Sequence, residues 1–377
     1  MAKKKHAESE PLDQADAEGV VDIDEQAEVF PGAQPIAYFG TDFDVHGLVR
    51  RINSGDIIIP SFDPQVETGS DLVGFQRRFV WRKFQMDRFV ESLLLGYPVP
   101  GIFLVQQADK KLLVLDGQQR LRTLQAFYRG TIGKDSVFKL ESVDEAFKDA
   151  MYTDLDDEDR RTLDNTFIHA TIVKYDAEKE GDQAVYQVFE RLNTGGTNLY
   201  PHEIRVALYN GKLVRLIRDM NQNSNWRDLY GNPSDRLKDQ ELILRFVALY
   251  YAAEKYKRPL KGFLNSFVKD HRDLEGIDAK AVATTFQNTC ALILQTLGRS
   301  AFRLKNQLNA ALVDSVLYGI AKRLDRGKIQ QRSEVKSAFA SLVHDEDFIG
   351  AIARATADEE RVATRLGKAK LAFSKLR

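Results

Sequence analysis

Five consecutive residues combine the side chains and backbone freedom that phosphate chemistry needs: Asp116, Gly117, Gln118, Gln119 and Arg120. A carboxylate can hold a metal ion, orient a water or accept a hydrogen bond from a ribose hydroxyl, and the two glutamines add neutral hydrogen-bonding groups. A glycine lets a ligand approach the main chain, and a guanidinium can bind two phosphate oxygens at once. The run therefore predicts an anion site, with a nucleotide phosphate as the most natural ligand.

The flanking sequence indicates how these side chains are positioned. Gly101 to Gln107 and Leu112 to Leu115 are apolar enough to be strands joined by a polar turn. After the motif, apolar residues recur at helical spacing until Gly130, where a helix would stop. The motif thus falls at a strand-to-helix junction, where a helix N-terminus offers free N–H groups and a partial positive charge. A plain alternative is that Asp116 is only a helix N-cap, with Gln119 and Arg120 on a solvated face.

Two other segments carry groups suited to phosphate or base contacts. The stretch from Gly74 to Trp81 places Gln76, Arg77 and a second arginine beside aromatic residues, just before a helix predicted over Arg82 to Leu95. The arginines are candidate phosphate ligands, or alternatively surface cations, and Trp81 is a candidate stacking surface or a core anchor.

A glycine loop is the third candidate segment. Asn193, Gly195 and Gly196 follow an amphipathic helix over Gln183 to Leu192 and precede a helix starting near Pro201. The loop is either an ordinary turn or a phosphate-contacting loop with accessible N–H groups.

Composition restricts the class of protein. The 377 residues contain 54 basic and 55 acidic side chains, so total charge points to no particular partner. One cysteine excludes an internal disulfide framework and fits a reducing cytoplasm. No apolar run reaches the length of about 18 residues expected of a transmembrane helix, so no membrane association is expected.

The domain organisation follows from shifts in pattern along the chain. Residues 1–40 are expected to be a disordered acidic tail, because nine acidic residues and no basic one lie between Glu8 and Glu28. Residues 41–210 mix strand and helix patterns, whereas residues 211–377 show only helix patterns, so we expect an α+β protein with an all-helical C-terminal domain.

Several polar features have an ordinary structural explanation as well as a functional one. The acidic connector from Glu141 to Asn165 is predicted to be helical, and its run from Asp154 to Asp159 is better explained as a helix start than as a metal site. His169 lies in a predicted strand over Phe167 to Tyr175, where a lone histidine is more often structural than catalytic. Arg245 interrupts an apolar helical stripe and could pair with an acid or reach towards the first domain.

The basic C-terminal end leaves two functions open. Six basic and no acidic residues occur from Arg361 to Arg377, which suits either a DNA contact or a solvated terminal helix. The chain contains no Walker A pattern, no dinucleotide-binding glycine motif and no zinc-protease motif, so nucleotide binding would need a less common cradle.

Four motifs in order resemble the GmrSD-type restriction endonuclease N-terminal domain family. They are Phe75 to Trp81, Leu115 to Leu124, Phe189 to Gly196 and Leu242 to Phe246. The resemblance implies a ParB/sulfiredoxin-like mixed α/β fold followed by a helical domain. It also implies nucleotide binding and NTP hydrolysis, often GTP-preferring, as part of DNA restriction or antiphage defence.

Residue by residue, the resemblance places the nucleotide motif on the Asp-Gly-Gln-Gln-Arg run. Asp116, Gln119 and Arg120 are the expected catalytic residues, with Asp116 also the expected Mg²⁺ ligand. The expected contacts to the nucleoside triphosphate are Gly117, Gln118, Gln76, Arg77, Asn193, Gly195 and Gly196.

The resemblance also sets the expected partners, which are a nucleotide, DNA and a separate nuclease subunit, and it is compatible with a homo-oligomer. Many full-length relatives append an HNH-like nuclease, yet beyond Arg245 only His271 and His344 occur, without the matching constellation. HNH cleavage by this chain is therefore not expected. Two alternatives remain: a DNA-binding or scaffolding module with a vestigial nucleotide pocket, and a DNA-nicking nuclease acting through the same motif.

Overall fold

A computed structural model describes residues 20–21, 36–60, 81–107, 109–133, 136–174, 181–192, 200–304 and 306–376. The chain divides into two compact units. Residues 32–208 are called the sheet unit here, and residues 209–377 together with residues 1–31 are called the helical unit.

The strands are short, between two and eight residues long. They are β1 (Val20–Val21), β2 (Tyr38–Asp44), β3 (Ile57–Ile58), β4 (Ile102–Gln106), β5 (Leu112–Asp116), β6 (Thr131–Ile132), β7 (Ser136–Val137), β8 (Phe167–Lys174), β9 (Arg303–Leu304) and β10 (Gln307–Asn309). The helices are α1 (Val45–Asn53), α2 (Lys83–Leu94), α3 (Gln118–Arg129), α4 (Asp157–Asn165), α5 (Gly181–Leu192), α6 (Pro201–Leu208), α7 (Lys212–Asn221), α8 (Ser224–Tyr230), α9 (Lys238–Ala252), α10 (Leu260–Asp270), α11 (Ala279–Leu297), α12 (Ala310–Leu324), α13 (Arg332–Leu342), α14 (Glu346–Ala353) and α15 (Glu359–Ser374).

A five-stranded mixed sheet organises the sheet unit, in the order β2-β8-β4-β5-β3. Strand β4 runs parallel to β8 and antiparallel to β5, so the beginning of β4 and the end of β5 lie at the same end of the sheet. Alternate residues such as Ile102, Leu104 and Ala170 are buried in one core with the apolar faces of α1 to α4. On the other side α5 packs against β5.

The mixed sheet with a helical C-terminal region confirms the α+β prediction. The ParB/sulfiredoxin likeness and the domain boundaries remain predictions. Most of the predicted tail over residues 1–40 lies outside the described residues, and within it Val20–Val21 forms β1 while β2 begins at Tyr38.

The connector from Glu141 to Asn165 is helical only in part, which corrects the prediction. It contains two 3₁₀ turns, Glu145–Phe147 and Tyr152–Asp154, before α4 begins. The acidic run is a helix start, because the Asp156 carboxylate accepts hydrogen bonds from the N–H groups of the next turn. The described residues contain no cluster of three potential metal ligands of the His, Cys, Asp or Glu type.

The helical unit is built on α7 to α15, with one departure from an all-helical fold. Strands β9 and β10 form a small sheet with β1, in which β1 pairs in parallel with β10. None of the helices in the described ranges combines the length and the apolar composition needed to cross a bilayer.

A buried charged cluster joins three helices of this unit. Arg245 on α9 donates to both carboxylate oxygens of Asp314 on α12, at 3.1 Å from Nε and 2.6 Å from Nη2. Arg365 on α15 donates to Asp314 Oδ2 at 3.0 Å. The two arginines and the aspartate are at most 1% exposed, so Arg245 pairs with an acid of its own unit, one of the two roles predicted for it.

Candidate functional site

Gly117 sets the geometry of the junction between β5 and α3. Its φ of 94° and ψ of 10° lie in the left-handed region, which side chains other than glycine rarely adopt. A Cβ atom at this position would lie 2.5 Å from Cγ2 of Ile102 in the adjacent strand. Both the turn and the close packing of β4 against the junction therefore require glycine.

The helix that follows begins without a side-chain cap. Its N-cap residue is Gly117, which has no side chain to accept a hydrogen bond from the first turn. The alternative in which Asp116 is simply the N-cap is therefore wrong. The twelve-residue helix α3 directs the positive end of its dipole to this junction.

Arg120 is held by two intramolecular contacts. Its Nη2 donates to Asp116 Oδ2 at 2.8 Å, and its Nη1 donates to the carbonyl oxygen of Pro100 at 2.6 Å. The side chain is 11% exposed, and this burial lowers the pKa of the guanidinium while the nearby Asp116 carboxylate acts in the opposite direction. Arg120 thus ties the end of β5 to Pro100, which lies two residues before the start of β4.

The other residues of the motif differ in accessibility. The Asp116 side chain is 44% exposed, whereas Gln118 is buried. Gln119 Oε1 accepts a hydrogen bond from the backbone N–H of Trp81 at 3.4 Å. Asp116 is therefore the carboxylate of this motif that a ligand can reach, and Gln119 helps join α3 to the start of α2.

Trp81 itself packs against the core. Its ring meets that of Phe89 on α2 edge to face, with the centroids 5.6 Å apart, and it borders the buried cluster of the sheet unit. These contacts favour the core-anchor role over base stacking.

Five of the predicted site residues cannot be placed. Gln76 and Arg77 fall in residues 61–80, and Asn193, Gly195 and Gly196 fall in residues 193–199, both outside the described residues. The structure brings together Asp116, Gly117 and Arg120 and adds a backbone group that sequence reasoning missed, the Pro100 carbonyl. A carbonyl oxygen is present in every residue, so no sequence signal could have identified it.

The chain is thus an α+β protein in which an acidic, partly exposed strand end leads through a left-handed glycine N-cap into a helix. Residues 45–210 match the family model described as GmrSD restriction endonuclease, N-terminal domain. This confirms the resemblance for the three motifs that lie within those residues, and the segment belongs to that family. The match indicates a component of a restriction or defence system. A search of curated proteins finds no match.

Proposed function

We propose that the protein is a nucleotide-binding, NTP-hydrolysing component of a DNA restriction system, with its phosphate site at the N-terminus of α3. The observation that carries the proposal is the first turn of this helix, whose N-cap is a glycine, beside the partly exposed carboxylate of Asp116. Because Gly117 has no side chain, the triphosphate of a nucleotide can approach the backbone there. GTP is the favoured nucleotide, as the resemblance implies.

Arg120 would change partners when a nucleotide binds. Its guanidinium donates to Asp116 and to the Pro100 carbonyl. A phosphate group is a stronger acceptor than a neutral carbonyl oxygen, so a bound triphosphate would compete for the same donors. The electrostatic role proposed for Arg120 is to stabilise the charge that develops on the transferred phosphoryl group.

The residues at the junction suit Mg²⁺ bound together with a nucleotide rather than alone. Mg²⁺ commonly takes one or two carboxylates, with phosphate oxygens and waters completing its coordination. Asp116 offers one accessible carboxylate, and the described residues provide no group of three ligands. When bound, the ion would neutralise phosphate charge, with Asp116 as its protein ligand.

Nucleotide binding and turnover test the proposal directly. We expect calorimetry to detect GTP or ATP binding in the presence of Mg²⁺, and we expect phosphate release to need the metal. Asp116→Asn and Arg120→Lys should each lower kcat by about 10²- to 10³-fold, the range found for loss of one preorganised hydrogen-bonding group in a catalytic site.

Asp109→Asn is the matched control, because Asp109 is a surface carboxylate of the same unit that pairs with Lys111 at 3.8 Å. It should behave as the wild type does. No binding and no turnover at millimolar nucleotide, or full turnover in both motif variants, would refute the proposal.

The second candidate, a DNA-binding or scaffolding module, depends on the basic C-terminal end. Within α15 the charge is partly used internally, because Arg365 is buried against Asp314 and Lys368 pairs with Asp345 and Asp347. Since the family acts in DNA restriction, DNA and a separate nuclease remain the proposed partners. A salt-dependent gel shift that does not respond to nucleotide would favour this second candidate.

A further inference from the structure

A cavity of about 680 Å³ lies in the helical unit, between the end of α8 and the segment that joins α11 to β9. Its volume is within the range of about 300–1,000 Å³ that small-molecule sites usually have. We call it the arginine cavity, because the charged residues among its described lining are Arg227, Arg299, Arg303 and Asp228. This lining therefore carries more cationic than anionic side chains.

Arg303 contributes a positive charge that no carboxylate of the described residues balances. Its Nη1 donates to the carbonyl oxygens of Leu229 and Arg299, at 2.7 Å and 2.8 Å, and its Nη2 donates to that of Tyr230 at 2.7 Å. Carbonyl oxygens carry only partial negative charge, so an anion would be a stronger acceptor for this guanidinium. A guanidinium has five N–H donors, and the three contacts leave two of them for a ligand.

Gly231 places the Arg303 guanidinium beside the cavity. This glycine is the C-cap of α8, and its φ of 117° lies in the left-handed region. It lines the cavity, and a Cβ atom at this position would lie 3.9 Å from Nη2 of Arg303. Because residue 231 is a glycine, it has no side chain that could cover this nitrogen.

Arg227 is fixed in position by two buried partners. Its Nη1 donates to Asp239 Oδ2 and its Nη2 donates to Asn221 Oδ1, both at 2.8 Å. The guanidinium also lies over the ring of Tyr230, 5.2 Å from its centroid. Arg227 is therefore held in one orientation before a ligand arrives, which reduces the entropy lost on binding.

Arg299 already binds an anionic oxygen at the surface. Its Nη2 donates to Asp228 Oδ1 at 2.7 Å, and the two side chains are 75% and 40% exposed. An exposed ion pair of this kind contributes little free energy, so another anion can replace the carboxylate at small cost. A phosphate group has more acceptor oxygens than a carboxylate, so it can accept hydrogen bonds from a second guanidinium at the same time.

We propose that the arginine cavity binds a phosphate group, supplied by a free nucleotide or by a nucleic-acid backbone. Arg299 and Arg303 donate to the phosphate oxygens, and Asp228 is released from Arg299. Asn232 and Ser300 line the same cavity and offer neutral hydrogen bonds. The inference does not rest on the nucleotide site proposed at α3, because all of these residues belong to the helical unit.

The test measures binding of inorganic phosphate to the full chain by equilibrium dialysis. We expect Arg299→Gln to weaken phosphate binding by about 10- to 100-fold, the scale of one lost hydrogen bond between charged groups. Arg258→Gln is the matched control, because Arg258 is an exposed arginine of the same unit that pairs with Asp358 at 2.7 Å. It should bind phosphate as the wild type does.

Asp228→Asn should change phosphate affinity in the opposite direction. The substitution removes the carboxylate that competes for Arg299, so binding should become about 2- to 5-fold tighter, the scale of one exposed ion pair. A pair that only joined α8 to the segment after α11 would not give opposite effects for Arg299→Gln and Asp228→Asn. Circular dichroism should show both variants folded.

A labelled DNA duplex and GMP distinguish the two sources of phosphate. If the ligand is a backbone phosphate, Arg299→Gln should weaken duplex binding and reduce its salt slope by about 1. If the ligand is a free nucleotide, Arg299→Gln should weaken binding of GMP and leave duplex binding unchanged.

Repeating the comparison in the Arg120→Lys background separates this inference from the proposed function. The same loss on Arg299→Gln is expected in both backgrounds, whether or not the site at α3 binds nucleotide. Equal affinities of the wild type and Arg299→Gln for inorganic phosphate, GMP and the duplex would overturn the inference.

Discussion

Replacement of Asp314 by asparagine should destabilise the helical unit more than any surface charge removal does. Asp314 bears one negative charge between two buried arginines, and its carboxylate accepts hydrogen bonds from both Arg245 and Arg365. The substitution keeps the size of the side chain but removes the negative charge that the two buried cations share. Burial lowers the pKa of Arg365, which reflects the same desolvation cost.

The expected loss is about 3–5 kcal/mol in the free energy of unfolding, the range for removing one partner of a buried ion pair. For a unit of this size that corresponds to a melting temperature lower by roughly 6–20 °C, at about 2–4 °C per kcal/mol. Urea unfolding followed by tryptophan fluorescence measures the effect, since Trp226 is fully buried in this unit.

Asp228→Asn is the control, because Asp228 pairs with Arg299 at 2.7 Å on the surface, where the two side chains are 40% and 75% exposed. It should cost no more than about 1 kcal/mol. A loss for Asp314→Asn as small as that of the control would refute the view that this cluster depends on the Asp314 carboxylate.

Two more outcomes follow from the sheet unit. Gly117→Ala should lower the free energy of unfolding by about 1–3 kcal/mol more than Gly130→Ala does. Both positions have a left-handed backbone, but only a Cβ at residue 117 would meet Ile102. Chemical denaturation measures the difference, and equal losses of stability would contradict the packing argument. Burial and the hydrogen bond to Asp164 raise the pKa of Tyr128. The stabilisation from neutral Tyr128 is therefore complete below about pH 10, where the unfolded tyrosine is also neutral, and should decrease as the pH rises further. Ultraviolet titration should show Tyr128 ionising after the exposed tyrosines, and ionisation together with them would contradict the raised pKa.

The strand-to-helix junction could be predicted because its signals are local. The apolar run of β5, the glycine and the helical spacing that ends at Gly130 occur within a short stretch, and the structure follows them closely. Strand β2 gave no such signal, since none of its residues is fully buried and its sequence shows no apolar alternation. It is an edge strand, and its pairing with β8 defines it.

The contacts that could not be predicted from the sequence connect residues that lie far apart in the chain. Asp314 lies 69 residues from Arg245, and Pro100 lies 20 residues from Arg120, so neither partner can be identified from spacing. The prediction that the connector is helical from Glu141 onwards was wrong for a related reason. The N–H groups of Glu141 and Ser142 donate to the buried Asp87 carboxylate on α2, and this tertiary contact replaces helical hydrogen bonds.

The contact between Arg120 and Asp116 has a consequence for the charge balance of the proposed site. The Arg120 cation neutralises the Asp116 carboxylate, at 2.8 Å between Nη2 and Oδ2. If a metal–phosphate pair enters, the carboxylate can pass to the metal while the guanidinium passes to the phosphate, and each ion keeps an opposite charge throughout. Binding would then proceed as an exchange of counter-ions between the two side chains and the metal–phosphate pair.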